Sequence, residues 1–398
     1  MISDSLPPSD RRVLPADPAL DAEAVPAGDR LRALEALGVL ARAAARLDDP
    51  DLFHRPRFHH PRRPVPAHRR HLRPAEPGRP VDAAPASEPP ARAGLQAVRA
   101  VREEARAQPG RRPCPTPESL AELHRMIAAS DPDVPGRGGY RRSPAAVVGA
   151  DGRRSVVAVA PGAELRAHME RWYEWGRLTT SPPLDAAALA MLQLLTIHPF
   201  PAANGRTARL LAQCDLVAAG LMPGLLLDLD GWVRIHRQEH DEALEAATDG
   251  ELVLWGAVFA RMVTETAQHR VAALRAYERM LDEASARVAG DPEAREVLGW
   301  FRSAPAVSAE WLRRRTAADP GPALDRLVGA GILVPHPELP GALVQPRLLA
   351  VLDAPWPATS AAGDNHGATA GDDGPRVADD ARRTTHDARP QMTTRDHG

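Results

Sequence analysis

Two prolines end a long apolar run in the middle of this chain, and that break limits what the chain can fold into more than any other feature. From Leu184 to Ile197 the sequence is predominantly apolar and free of Pro and Gly, which predicts a buried helix. Pro199 and Pro201 cannot continue it, because each lacks an N–H and fixes φ. The helix is therefore predicted to stop at His198. Six residues later Asn204 is a good helix N-cap, and Arg206 to Val217 restores a helical period that Gly220 closes.

A short loop that feeds a helix N-terminus collects unpaired N–H groups at the positive end of the helix dipole. Arg206 and Arg209, three residues apart, project from one face of that helix, so the stretch reads as an anion site. On the residues alone His198 is open to two readings, a hydrogen-bonded core histidine or a base poised beside that site. Asn204, Gly205 and the arginines have equally plain readings as a cap, a turn glycine and a solvated charged face.

The run His198-Pro-Phe-x-x-Ala-Asn204-Gly-Arg206-x-x-Arg209 resembles the signature of the Fic family of AMP-transferring enzymes, HPF-x-(D/E)-(G/A)-N-G-R-x-x-R. One position departs: where the family carries the acid that holds Mg²⁺, this chain has Ala202. The resemblance implies an all-α Fic core with a small β-hairpin, the flap. It implies that His198 is the general base for attack of a Ser, Thr or Tyr hydroxyl on the α-phosphate of ATP, a task suited to an imidazole that titrates near neutrality. By the same resemblance Phe200 anchors the loop, Asn204 and Gly205 cradle phosphate oxygens, and Arg206 and Arg209 neutralise the leaving pyrophosphate. ATP is then a substrate and a protein hydroxyl its acceptor. Mg²⁺, with no motif acid, is expected to be held mainly by the phosphates.

Bulk properties fit such a protein. The 398 residues allow two or more domains, and 43% hydrophobic content supplies a core in part of them. A net charge of −2 leaves no broad footprint for nucleic acid or a membrane. Every basic residue is Arg, which reads as a coding bias more than as a selection for guanidinium chemistry. Cys114 and Cys214 show no metal or disulfide spacing, and neither a signal peptide nor a membrane span is evident, so a cytoplasmic setting is expected.

In chain order, residues 1–28 are expected to be disordered, and Asp29 to Leu47 to be helical. Residues 29–114 form an N-terminal helical region interrupted at 53–92 by an Arg/His/Pro-rich stretch, read as a linker or as an out-of-frame segment. Fic proteins of similar layout carry a regulatory (S/T)-x-x-x-E-(G/N) helix here, whose Glu engages the second motif arginine. No Glu in this chain precedes Gly or Asn, so Arg209 is expected to have the phosphate as its only partner. The Fic core is placed at 115–265. It opens with Thr116 capping a helix that has Pro117 at its first position and His124 as a core histidine. Two β-branched runs around Asp151-Gly152 predict the flap hairpin. Its Val147, Val148, Val156 and Val157 are expected to pair with an extended target segment by strand addition. Trp232 and His240 are expected on the adenosine side.

Connecting helices follow at 266–298. A winged helix-turn-helix is expected at 299–354, read as a packing or dimerisation module because its second helix offers Arg326 against Asp325 and little else for bases. Residues 355–398 are expected to be disordered. The leading expectation is AMP transfer with turnover impaired by Ala202. The alternatives are a catalytically quiet Fic scaffold that binds nucleotide or partner, and a winged-helix transcriptional regulator. A homodimer is compatible with the sequence, and DNA is not an expected partner.

Overall fold

The computed structural model describes residues 11–12, 17–47, 114–129, 138–148, 154–157, 159–304, 306–336 and 340–353. The 53–92 stretch, the Asp151-Gly152 turn and the 355–398 tail lie outside them. The fold is mostly helical and is built around the apolar run. Helix α1 (Ala27–Ala44), α2 (Pro117–Ala129), α3 (Ala163–Leu178) and α4 (Pro183–Ile197) precede the break, and α5 (Asn204–Ala218) follows it. Then come α6 (Leu229–Ile235), α7 (Arg237–Thr248) and the 36-residue α8 (Leu252–Arg287).

Helix α4 is buried along almost its whole length, as its composition requires. Its alanines let neighbours approach until two indoles reach its backbone. Trp255 Nε1 donates to Ala188 O at 2.8 Å and Trp172 Nε1 to Ala190 O at 3.2 Å. Each Leu enclosed along this helix contributes about 1.5–3 kcal/mol relative to exposure, which fixes α4 as the axis of the core. The one acid in the first turn, Asp185, is fully buried and ion-paired. Its Oδ1 accepts from Val25 N at 2.7 Å, and Arg30 Nε lies 2.9 Å from its Oδ2.

That contact corrects the expectation for the N-terminus. Residues 17–26 lie against α4 and α8, with Ala24 and Val25 buried, and Gly256 of α8 is tolerated only as glycine because a Cβ would stand 2.1 Å from Ala24 O. The Pro- and Asp-containing segment that suggested disorder is held against the core here, with a turn closed by Ala22 N donating to Ala19 O at 3.2 Å. Residues 27 and 28 already belong to α1.

Two short sheets complete the description. In one, β2 (Ala146–Val148) and β3 (Arg154–Val157) form an antiparallel hairpin, with Ala146 opposite Val156 and Val148 opposite Arg154. The other edge of β3 pairs in parallel with β1 (Arg11–Arg12). After α8 come α9 (Pro292–Gly299), a 3₁₀ turn at Trp300–Arg302, β4 (Ala306–Ser308), α10 (Ala309–Arg313), α11 (Gly321–Gly329), β5 (Val334–Pro335), β6 (Ala342–Val344) and α12 (Pro346–Asp353). The three strands run antiparallel in the order β4-β6-β5. Among the described residues no helix is long and apolar enough to cross a membrane.

Candidate active site

The break after α4 is a turn held in two left-handed residues. His198 has φ 53° and ψ 58° and caps α4, its N–H donating to Leu194 O at 3.1 Å. Ala203 has φ 61° and ψ 14° and is the N-cap of α5. Left-handed backbone costs a residue with a Cβ about 1–3 kcal/mol, and His198 is disfavoured further because a proline follows it. Such strain persists only where the surroundings fix it, and three side chains do so here.

Asn204 is the first. The structure corrects its expected role as N-cap: it is the first residue of α5, and no side chain caps that helix. Asn204 Oδ1 accepts from Phe200 N at 2.9 Å and its Nδ2 donates to Phe200 O at 2.8 Å, so one buried amide closes the loop at both backbone atoms of Phe200. Two such bonds contribute about 1–3 kcal/mol together, the same order as the strain of one left-handed residue. The side chain that the signature assigns to phosphate is committed to the loop. The first N–H groups of α5 have no side-chain cap.

His124 is the second. The N–H of Gly138 donates to its Nδ1 at 3.0 Å, so the ring proton sits on Nε2, which lies 3.0 Å from Ala202 O and donates to it. The ring stacks on Phe200 with centroids 3.9 Å apart and planes 5° from parallel. Burial lowers its pKa, and the nearby Arg206 charge adds to that against the raising influence of the Ala202 carbonyl. Gly138, at φ 79°, is strained for any residue with a Cβ, which would also stand tightly at 3.0 Å from Ala121 O. His124 is thus a neutral clamp.

The third is Arg141, which the sequence reading passed over. The residue is 3% exposed, and its guanidinium donates to carbonyls at the end of α4 and at the feet of the flap. Burial lowers its pKa, with Glu164 acting in the opposite direction.

The half-buried His198 imidazole has Nδ1 3.3 Å from Leu195 O. A carbonyl only accepts, so in the neutral ring this contact favours the proton on Nδ1 and leaves Nε2 as the acceptor nitrogen. Arg209 folds back over the first turn of α5, where an added Cβ on Gly205 would stand 3.0 Å from its Nη1. There it pairs with Asp230, its Nε donating to Oδ1 at 2.7 Å. This corrects the expectation that phosphate is its only partner. Asp230 lies in the first turn of α6, which Asp228 caps by accepting from Gly231 N at 3.1 Å.

The two residues expected on the adenosine side are both buried. Trp232 is fully buried, stacked on His236 at 4.3 Å, with Nε1 donating to Glu265 Oε2 at 2.7 Å. It is a core residue with no ring face left for a base. His240 is also buried, its Nδ1 3.0 Å from Asp241 Oδ1 and its ring edge-on to Trp255. On the flap, Val157 is buried and faces the core, while Val147, Val148 and Val156 are placed by strand register. Strand β3 is paired on both sides, by β2 and by β1.

A protein-held Mg²⁺ does not fit this turn. Residue 202 has a methyl group in place of a carboxylate, its carbonyl accepts from His124, and no group of three or more His, Cys, Asp or Glu among the described residues could hold a metal ion.

Comparison with known proteins agrees with the signature. Residues 115–215 match the model of the Fic/DOC family. The protein adenylyltransferase Fic of Drosophila erecta is 32% identical over 139 residues, 34% of this chain and 26% of that protein. Its namesake in Aedes aegypti is 31% identical over 139 residues, 34% of this chain and 25% of that protein. The chain thus spans about a quarter of the length of the curated relatives it matches. Among solved structures, Fic-1 of C. elegans is similar with a TM-score of 0.41 and 20% identity, covering 63% of this chain and 73% of that one. A Fic-domain signalling protein of Bacteroides thetaiotaomicron has a TM-score of 0.35 and 23% identity, over 47% of this chain and 72% of that one.

Proposed function

This chain is a Fic/DOC family protein by its residues 115–215, and on that premise we propose that it transfers AMP from ATP to a hydroxyl of a protein target. The observation that carries the reading is the His198 turn. An imidazole stands six residues before an uncapped helix N-terminus that bears two arginines, and this supports a base beside an anion site. The hydroxyl oxygen bonds to the α-phosphorus, the bond to the bridging oxygen breaks, and pyrophosphate leaves while the hydroxyl proton passes to His198 Nε2. The α5 N-terminus and Arg206 stabilise phosphate charge, and Arg209 joins them when it leaves Asp230. The target supplies an extended segment to the flap, read through its backbone.

Ala202 supports slow turnover, and it equally favours the second reading, a scaffold that holds nucleotide without transfer. The pairing of Arg326 with Asp291 at 2.6 Å and Glu293 at 2.7 Å takes up the base-reading arginine of α11, which favours a packing role for residues 299–354 over a DNA reader.

Parallel incubations with α- and γ-labelled ATP separate these readings. AMP transfer labels protein only from the α-position, and His198→Ala abolishes it while ATP still binds, since base catalysis contributes about 10²–10⁴-fold. No label in any protein, with ATP bound, leaves the scaffold.

A further inference from the structure

A guanidinium presents five N–H donors in a rigid fork, and Arg141 commits four bonds from that fork to backbone carbonyls. Nε donates to His198 O at 2.8 Å, Nη1 to Ser143 O at 3.2 Å, and Nη2 to Val159 O at 2.5 Å and to Ile197 O at 3.5 Å. Its own backbone N–H donates to Pro199 O at 2.9 Å. These carbonyls come from three separate stretches: the C-terminus of α4 with the strained His198, the approach to β2, and the exit from β3. A buried cation is expensive unless its donors are satisfied, and here carbonyl oxygens satisfy them. The side chain therefore makes one unit of the turn that carries the imidazole and both feet of the hairpin.

We infer that Arg141 is a positioning residue, which holds the His198 turn in its left-handed form and fixes the flap in register with it. This rests on the reading of His198 as base and of the flap as the target's docking strand. A hydroxyl presented by the flap reaches Nε2 only if hairpin and turn keep their spacing, and Arg141 sets that spacing from the backbone side without touching substrate. Lys cannot replace it, because an ammonium is a point charge with three donors and cannot span carbonyls on three stretches.

The test uses the full chain with Arg141→Lys, Arg141→Gln and, as a control that loses a buried side-chain bond to backbone far from the site, Tyr277→Phe, whose hydroxyl donates to Phe301 O at 2.7 Å. Four readouts are taken: the His198 ring resonances, assigned by their loss in His198→Ala; amide exchange over 143–148, 154–157 and 197–200; ATP affinity; and self-labelling from α-labelled ATP. Both Arg141 variants are expected to fold and to bind ATP as the native chain does. In them the His198 signals move, exchange accelerates in the flap and the turn together, and labelling falls by about a hundredfold, the scale of a misplaced reacting group. Arg141→Lys should be milder than Arg141→Gln, and Tyr277→Phe should change none of these. Unmoved His198 signals and exchange in the Arg141 variants overturn the inference, as do equal changes in Tyr277→Phe or loss of folding in both Arg141 variants. If the native chain never labels yet the resonance and exchange changes occur, AMP transfer is wrong and the positioning role stands.

Discussion

Asp230 holds Arg209 by its guanidinium: both Nε and Nη2 bond the same carboxylate oxygen, Nε at 2.7 Å, with the arginine side chain 13% exposed and the aspartate 59%. A triphosphate must take Arg209 away from that carboxylate or bind without it. An ion pair with one partner in solvent contributes roughly 0.2–1 kcal/mol, so Asp230→Ala is expected to raise ATP affinity by up to about fivefold. Titration of ATP into the native and variant chains at low and high salt checks this. The gain should shrink with salt, and unchanged or weaker binding in the variant would mean that the pair does not compete with nucleotide.

Asn204 separates a loop-closing role from a ligand role. Its side chain serves Phe200 on both sides, so Asn204→Ala removes two buried bonds and is expected to cost about 1–3 kcal/mol of stability, read as a shift in the urea midpoint. Loss of ATP affinity at unchanged stability would instead make the amide a direct phosphate ligand.

The turn was legible in the sequence because its cause is local. Two prolines stop α4 and the glycine at 220 stops α5, and neither depends on the rest of the chain. Asn204 was misread because its amide serves two backbone groups of Phe200, four residues earlier, and the left-handed Ala203 takes the cap position. Trp232 and His240 are buried, and an aromatic beside a site and an aromatic under it look alike in sequence. Arg141 and Asp230 were not legible at all. The first acts on carbonyls, which every residue has, up to 57 positions away, and the second meets its arginine 21 positions away with no periodic signal. The Asp228-x-Asp230-Gly231 pattern does announce a helix start, but it says nothing about which cation the second carboxylate reaches.

Acidification should loosen the turn through His124. Its ring is buried and neutral, with a pKa lowered first by burial and then by Arg206. The unfolded ring titrates at about 6.5, so below that pH the unfolded chain binds more protons than the folded one, and stability falls as pH drops toward the lowered native value. Above about 6.5 both forms are neutral and the contribution is complete. His240, also lowered chiefly by burial, acts with the same sign. Urea unfolding at several pH values on either side of neutrality is expected to show the native chain losing stability on the acid side, and His124→Gln losing less of it. An identical pH slope in the two proteins would remove His124 from the explanation.

The last prediction turns on residue 202. Ala202 is half-buried in the turn, its carbonyl is taken by His124 Nε2, and its methyl stands where the family signature has a carboxylate. Mg²⁺ is a hard cation that takes oxygen ligands, usually one or two carboxylates together with phosphate oxygens and water. Without the carboxylate the ion's place beside the α-phosphate is not fixed by the chain, and fixed positive charge is much of what phosphate transfer asks of a protein. Because the His124 bond uses the backbone of residue 202, a side chain can be added there without removing the clamp. Ala202→Asp is therefore expected to raise Mg²⁺-dependent labelling from α-labelled ATP by at least about tenfold, equivalent to ~1.4 kcal/mol of barrier, with little change in ATP affinity. Rates measured across a Mg²⁺ titration in both proteins decide it. A native chain that is already fast, and in which the added carboxylate alters neither rate nor metal dependence, would mean that some other residue holds the metal and that Ala202 is no impediment.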